Sequence, residues 1–131
     1  MSPDMSTMES TSSLLYNIPK LAEDGSNWIT YKERAQTVIR AWGLVRYMDG
    51  RAIEPALFKK DTNGDLVKDD GTKPSQTEIE DLEKKQDEFY QKDSLVKQYI
   101  FSTISDQMLL QVQNTGGASK VWTEICTIHE G

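Results

Sequence analysis

The stretch that decides the fold, residues 25–43, reads GSNWITYKERAQTVIRAWG. Gly25 breaks the preceding chain, and Asn27 is a residue type that caps a helix by accepting backbone N–H bonds. Apolar side chains then recur three and four positions apart, so they share one face of a helix. They are Trp28, Tyr31, Ala35, Val38, Ile39 and Trp42. Gly43 ends the pattern, because glycine adopts the left-handed conformation of a helix C-terminus without a Cβ clash.

Three further helices are predicted in the second half of the chain. Thr77 and Glu80 have the spacing of a capping box, which indicates a long second helix whose buried part is residues 95–104. Ser105 begins a third, shorter helix, and a fourth starts near Ala118. The predicted core positions on these helices are Ile100, Ile104, Val112, Trp122 and Ile125.

The region between the two long helices, residues 51–75, is rich in turn residues and is predicted to be an irregular insert. A short helical turn is expected at residues 52–57. Asn63-Gly64 favours a type I′ turn and indicates a small hairpin near residues 58–68. We therefore predict an all-α fold, a compact bundle of about four to five helices over residues 25–130 with one small hairpin.

The N-terminal residues divide into two segments of different composition. Residues 1–13 are mostly Ser, Thr and Met, and they are predicted to form a disordered tail. Residues 14–24 begin with a short apolar run before Pro19, which favours extended backbone. Four apolar side chains of this segment are candidates for filling a hydrophobic groove: Leu14, Leu15, Tyr16 and Ile18.

The charge balance bears on the class of partner. The 131 residues carry a formal net charge of -6, which opposes binding to a phosphate backbone because that affinity comes from Lys and Arg. The first helix nevertheless contains a locally basic stretch. The candidate basic patch comprises Lys32, Arg34 and Arg40 of this helix together with the more C-terminal Arg46, although an ordinary polar helix face is the favoured interpretation. Direct nucleic-acid binding is therefore not expected.

No constellation for catalysis, cofactor binding or metal binding is predicted. Cys126 and His129 are the only cysteine and histidine, and two ligands do not make a zinc site. The run that begins at Asp61 resembles the start of a calcium loop, but Leu66 stands where that loop needs glycine and Thr72 where it needs glutamate. No apolar run is long enough for a membrane span. We expect a soluble, cytoplasmic protein that is not an enzyme and has no small-molecule substrate.

Two ordered sets of residues resemble the Gag polyproteins of Copia-type LTR retrotransposons. The first set is Leu21-(x3)-Gly25-Ser26-Asn27-Trp28-(x2)-Tyr31-Lys32-(x)-Arg34, then Gly43-Leu44 and Met48-Asp49-Gly50. The second set is Phe89-Tyr90-(x2)-Asp93-(x6)-Ile100-(x3)-Ile104-Ser105-Asp106, then Val112, Ala118-(x3)-Trp122-(x2)-Ile125 and His129-Glu130. Together they cover about residues 18–130 in the family's order, with a longer middle loop. Tyr31 stands where the family usually has tryptophan, which still fills an aromatic position.

The resemblance implies an N-terminal, capsid-like helical lobe that assembles with other Gag-like subunits into a particle, without enzymatic activity. The sequence reaches Gly131 without a second capsid lobe or a zinc knuckle, so RNA packaging and shell assembly are not carried over. Three hypotheses follow, in order of preference. The first is a structural lobe that self-associates weakly, the second is a host-retained adaptor that binds a partner's peptide in a hydrophobic groove, and the third is an RNA-binding module.

Overall fold

Helix α1 spans Trp28–Ala41 in a computed structural model, which describes residues 19–131. Trp28, Tyr31, Ala35 and Ile39 are buried on one face, while Val38 and Trp42 are partly buried beside them.

The chain leaves α1 through a left-handed glycine, as the sequence predicts. Gly43 has φ of 76°, and its N–H donates to the Arg40 carbonyl at 2.9 Å. The Leu44 N–H donates to the Ile39 carbonyl at 3.1 Å, which completes the paired hydrogen bonds of a Schellman motif.

The expectation that the Asn27 side chain caps α1 is wrong. Its Oδ1 accepts from the Ala22 N–H at 2.8 Å, and its Nδ2 donates to the Lys20 carbonyl at 2.9 Å. The ψ of Asn27 is 23°, outside the extended conformation typical of a side-chain cap, so the amide points back toward the preceding loop. Asn27 therefore fixes the segment that enters the helix.

A short helix and an irregular connector follow. Helix α2 covers Val45–Asp49 and buries Met48. The short helical turn expected at residues 52–57 is not formed, and this segment adopts neither helix nor strand. Pro55 lies in its middle and cannot donate a helical hydrogen bond.

The predicted hairpin is present, but its turn differs from the prediction. Strands β1 (Lys59–Lys60) and β2 (Leu66–Val67) pair antiparallel, with Lys60 opposite Leu66. Only Gly64 has positive φ, 82°, whereas a type I′ turn would also need it at Asn63. The strands are instead joined through a loop in which the Asp61 carboxylate accepts the N–H groups of Asn63 and Asp65, each at 2.9 Å. One oxygen of this carboxylate, Asp61 Oδ1, thus accepts both N–H groups of the loop.

Helix α3 runs from Gln76 to Ser102 and begins two residues earlier than a cap at Thr77 would place it. The box is Ser75 with Glu78, not Thr77 with Glu80, because both pairs have the same spacing and the backbone is extended at Ser75. Only the second half of α3 contributes fully buried residues, which confirms the predicted division of this helix. They are Val96, Tyr99 and Ile100.

Two more helices complete the bundle. Helix α4 spans Asp106–Val112, and the Ser105 hydroxyl accepts from the Met108 N–H at 3.1 Å as its cap. Helix α5 spans Ala118–Glu130. Its buried residues are Ala118, Val121, Trp122 and Ile125. The described chain therefore has five helices and one two-stranded hairpin, which confirms the all-α prediction.

The N-terminal segment is tied to this core through a buried threonine. The Leu21 side chain is buried, and its N–H donates to the Thr103 carbonyl at 2.8 Å. The Thr103 hydroxyl lies 3.0 Å from the Tyr99 and Ile100 carbonyls, to which it donates its single proton, so the Tyr31 hydroxyl is the donor in the 2.8 Å bond between Tyr31 and Thr103.

Candidate protein-interaction sites

An aromatic cluster joins α1 to α5. The Trp28 ring lies 5.9 Å from the Trp122 ring and 6.0 Å from the Tyr31 ring, measured between centroids. The His129 ring also stacks on the Trp28 ring, with 5.0 Å between their centroids. All four residues are buried or half-buried, so the cluster belongs to the core.

His129, near the end of α5, is not a solvated side chain. Its ring is half-buried on Trp28, and a Cβ added to Gly25 would lie 2.6 Å from its Nδ1. Cys126 is half-buried on the same helix, and burial raises the pKa of its thiol. Within residues 19–131 no group of three or more His, Cys, Asp or Glu is placed to hold a metal ion.

The candidate basic patch does not form one continuous surface. The Lys32 Nζ lies 2.6 Å from the Glu130 carboxylate, which also accepts from Trp28 Nε1 at 2.9 Å. The hydrogen bond between Lys32 and Glu130 raises the pKa of Lys32, and it is the largest cause of the lowered pKa of Glu130. Lys32 thus forms an ion pair that connects α1 to the end of α5.

The arginines of the patch are exposed but face different directions. At about 100° per helical residue, Lys32 and Arg34 point about 160° apart around α1, and Arg40 lies about 120° from Arg34. Arg46 belongs to the separate helix α2. This distribution is that of a polar helix surface and not of a concentrated cationic site.

Exposed apolar side chains form a second group of surface features. Ile29 on α1 is 83% exposed and Leu110 on α4 is 69% exposed. In the connector before the hairpin, Ile53 and Leu57 are also exposed. None of the four contributes to the core, so each could be contacted by a partner without disturbing the fold.

A cavity of about 350 Å³ lies where α2, α3 and the start of α5 meet. Its wall includes three aromatic rings, two carboxylates and one lysine. The side chains are Tyr47, Phe89, Tyr90, Glu54, Asp93 and Lys120. No sequence signal links these positions, because they come from four separate segments of the chain.

Two other predictions concern the N-terminal segments and a membrane span. The candidate groove-filling residues Leu14, Leu15, Tyr16 and Ile18, with the predicted tail 1–13, lie outside the described residues. No helix in the described part of the chain is long and apolar enough to cross a membrane.

Comparison with known proteins does not assign a family. Searches against protein-family models, curated proteins and solved structures found no match for this chain.

Proposed function

We propose that this chain is a structural, non-catalytic protein-interaction domain of Gag-like, Copia-type retrotransposon origin that self-associates weakly in the cytoplasm. The observation that supports it is the meeting of the two ordered residue sets. Trp28 of the first set contacts Trp122 of the second and donates to Glu130, at the end of the second set. Gly25 of the first set packs against His129 of the second. The residues of the resemblance thus support one another in a single cluster.

The surface supports an assembly role through its exposed apolar side chains. Leu110 on the short helix α4 and Ile29 on α1 lie outside the core. When a second protein covers exposed apolar side chains, water is released from them and the free energy of the complex is lowered. Weak association, and not an obligate interface, fits isolated residues of this kind because they bury little area.

A second candidate function, an adaptor for a partner's peptide, is favoured by the cavity between α2, α3 and α5. Its aromatic wall offers stacking surface, and Ile53 and Leu57 in the adjoining connector are exposed. An RNA-binding role is less favoured, since the net charge is -6 and Lys32 is already paired with Glu130.

The test is the mass of the full chain in solution, measured by light scattering after size exclusion over a wide concentration range. We expect the mass to rise with protein concentration, and to rise more at high salt, because salt screens the repulsion between chains of charge -6. Leu110→Lys should reduce the association, since it places a charge on an exposed apolar position of α4.

The matched control is Leu57→Lys, which makes the same change at an exposed position in the connector. Equal losses in the two variants would mean that added charge, and not the α4 surface, causes the effect. A single-chain mass up to a concentration of about 1 mM would exclude self-association stronger than about 4 kcal/mol and leave the adaptor hypothesis.

A further inference from the structure

The cavity between α2, α3 and α5 combines aromatic surface with negative charge. The Tyr47 and Phe89 ring centroids are 5.4 Å apart, and Phe89 and Tyr90 meet edge-on at 5.7 Å. Tyr47 and Phe89 are half-buried, whereas Tyr90 is 50% exposed. The faces of such rings carry negative electrostatic potential and attract cations.

Two carboxylates border the same cavity, and neither is neutralised within residues 19–131. Glu54 accepts a hydrogen bond from the Tyr90 hydroxyl, and Asp93 accepts one from the Ala118 N–H at 3.0 Å. No Lys, Arg or His of the described chain lies within 4 Å of either carboxylate. Each carboxylate has about four lone-pair positions, so both can accept further donors.

The start of α5 does not favour an anion in this cavity. Helix N-termini attract anions through free N–H groups, but here the Asp93 carboxylate already accepts the Ala118 N–H. Among residues 19–131, Lys120 is the one cation that lines the cavity, against two carboxylates, and the whole chain is acidic. The charge complementarity therefore points to a basic ligand group.

We propose that this cavity binds an arginine side chain of a partner protein, with the guanidinium against the aromatic rings and hydrogen-bonded to Glu54 and Asp93. Arginine fits better than lysine because its planar group stacks on rings and donates two parallel bonds to a carboxylate. The inference rests on the proposed role as a protein-interaction domain. It names the chemistry that one surface recognises, and it does not depend on self-association.

The experiment uses the full chain labelled with ¹⁵N and the peptide acetyl-Gly-Arg-Gly-amide as the probe. Titration should shift the amide signals of Gly50 and Gly117, which line the cavity, with a dissociation constant on the order of 1 mM. The same peptide with glutamine or glutamate in place of arginine should produce no saturable shifts at these amides.

Two single substitutions test the charge of the site in opposite directions. Glu54→Gln should weaken arginine binding by at least about threefold, and Lys120→Gln should strengthen it by a similar factor. The control is Glu80→Gln, which removes the same charge from an exposed position in the first half of α3 and should leave affinity unchanged. Both test positions are exposed, so the amide spectra can verify that each variant remains folded.

Several results would overturn the proposal. They are no saturable shift with the arginine peptide, stronger binding of the glutamate peptide, or changes of the same sign in the two variants. The mass measurement above is independent of this titration. A monomeric chain that binds the arginine peptide would refute self-association and support the cavity assignment. A chain that assembles but does not bind the peptide would support self-association and refute the cavity assignment.

Discussion

The described part of the chain has two regions that differ in how deeply their side chains are buried. Helices α1, α2, α4 and α5, with the second half of α3, share one core of buried aromatic and aliphatic side chains. Residues 49–95, which include the connector, the hairpin and the first half of α3, contain no buried residue. The hairpin meets the start of α3 through the ion pair between Lys68 and Glu78 at 2.9 Å, which is partly exposed to solvent.

This difference separates stability from recognition. The core carries the apolar burial that drives folding, so changes there should affect the whole molecule. The poorly buried region contributes most of the side chains around the arginine-binding cavity, including Glu54, Phe89 and Tyr90. Substitutions in it can therefore alter binding while leaving the global stability close to that of the wild type.

The largest expected effect comes from truncating the aromatic cluster. Trp28→Ala should lower the free energy of unfolding by about 3–5 kcal/mol, because it removes the ring that contacts Trp122 and His129. Leu57→Ala, in the exposed connector, should change it by less than about 0.5 kcal/mol. Urea unfolding followed by far-ultraviolet circular dichroism gives both values. Similar losses in the two variants would contradict the division into two regions.

A smaller effect should distinguish two glycines that have similar, positive φ angles. Gly43 after α1 and Gly64 in the hairpin have φ of 76° and 82°, and an added Cβ would meet nothing within 4 Å at either site. Alanine in this conformation is strained by about 1–2 kcal/mol. Gly43→Ala should lower the free energy of global unfolding by about that much, because Gly43 closely follows α1 and one face of α1 is buried in the core.

Gly64→Ala should lose less than about 0.5 kcal/mol globally, because the hairpin can open locally and release the strain while the core stays folded. The same urea experiment tests this pair, and hydrogen exchange at the hairpin amides would show the local opening directly. If the two losses are equal, the hairpin is coupled to the core and the comparison between the regions fails.

Local patterns missed the five-residue helix α2, which is too short to show an apolar period, but they predicted α1, α3, α4 and α5, because apolar spacing and glycine positions are properties of neighbouring residues. They failed where a side chain had a choice of partner. Asn27 could cap α1 but binds the preceding loop, and Ser75 competes with Thr77 for the same cap spacing. In the hairpin, the Asp61 carboxylate takes two loop N–H groups that a turn-type rule does not consider.

The candidate sites depend on contacts between distant residues, which no local pattern encodes. Lys32 pairs with Glu130 across the fold, and this pairing occupies one of the four members of the predicted basic patch. The cavity wall joins Tyr47, Glu54, Phe89 and Lys120 only after α2, α3 and α5 have packed. The basic residues were visible in the sequence, but their partners could not be identified without the fold.

The smallest expected effect lies inside the core and compares two buried tyrosines. The Tyr31 hydroxyl donates to Thr103, whereas the Tyr99 hydroxyl is buried without a hydrogen-bond partner in the described chain. At pH 7, Tyr31→Phe should lower the free energy of unfolding by about 1 kcal/mol, and Tyr99→Phe should leave it unchanged or raise it slightly. Urea unfolding of both variants beside the wild type gives the difference. A clear loss in Tyr99→Phe would mean that its hydroxyl has a partner.

Alkaline pH sharpens the same comparison, because burial raises the pKa of Tyr99 to about 12 from its ordinary value of 10.0. The unfolded chain releases this proton near pH 10 while the folded chain retains it, so stability present below pH 10 is lost as the pH rises through about 12. The Tyr99→Phe variant lacks this ionisation, and its stability should fall less steeply than that of the wild type between pH 9.5 and 11.5. Between pH 7 and 8 Tyr99 is protonated in the folded and the unfolded wild-type chain. The stability curves of the wild type and the Tyr99→Phe variant should therefore be parallel in this range, which provides the control. Parallel curves above pH 10 as well would mean that the folded state does not protect the Tyr99 hydroxyl.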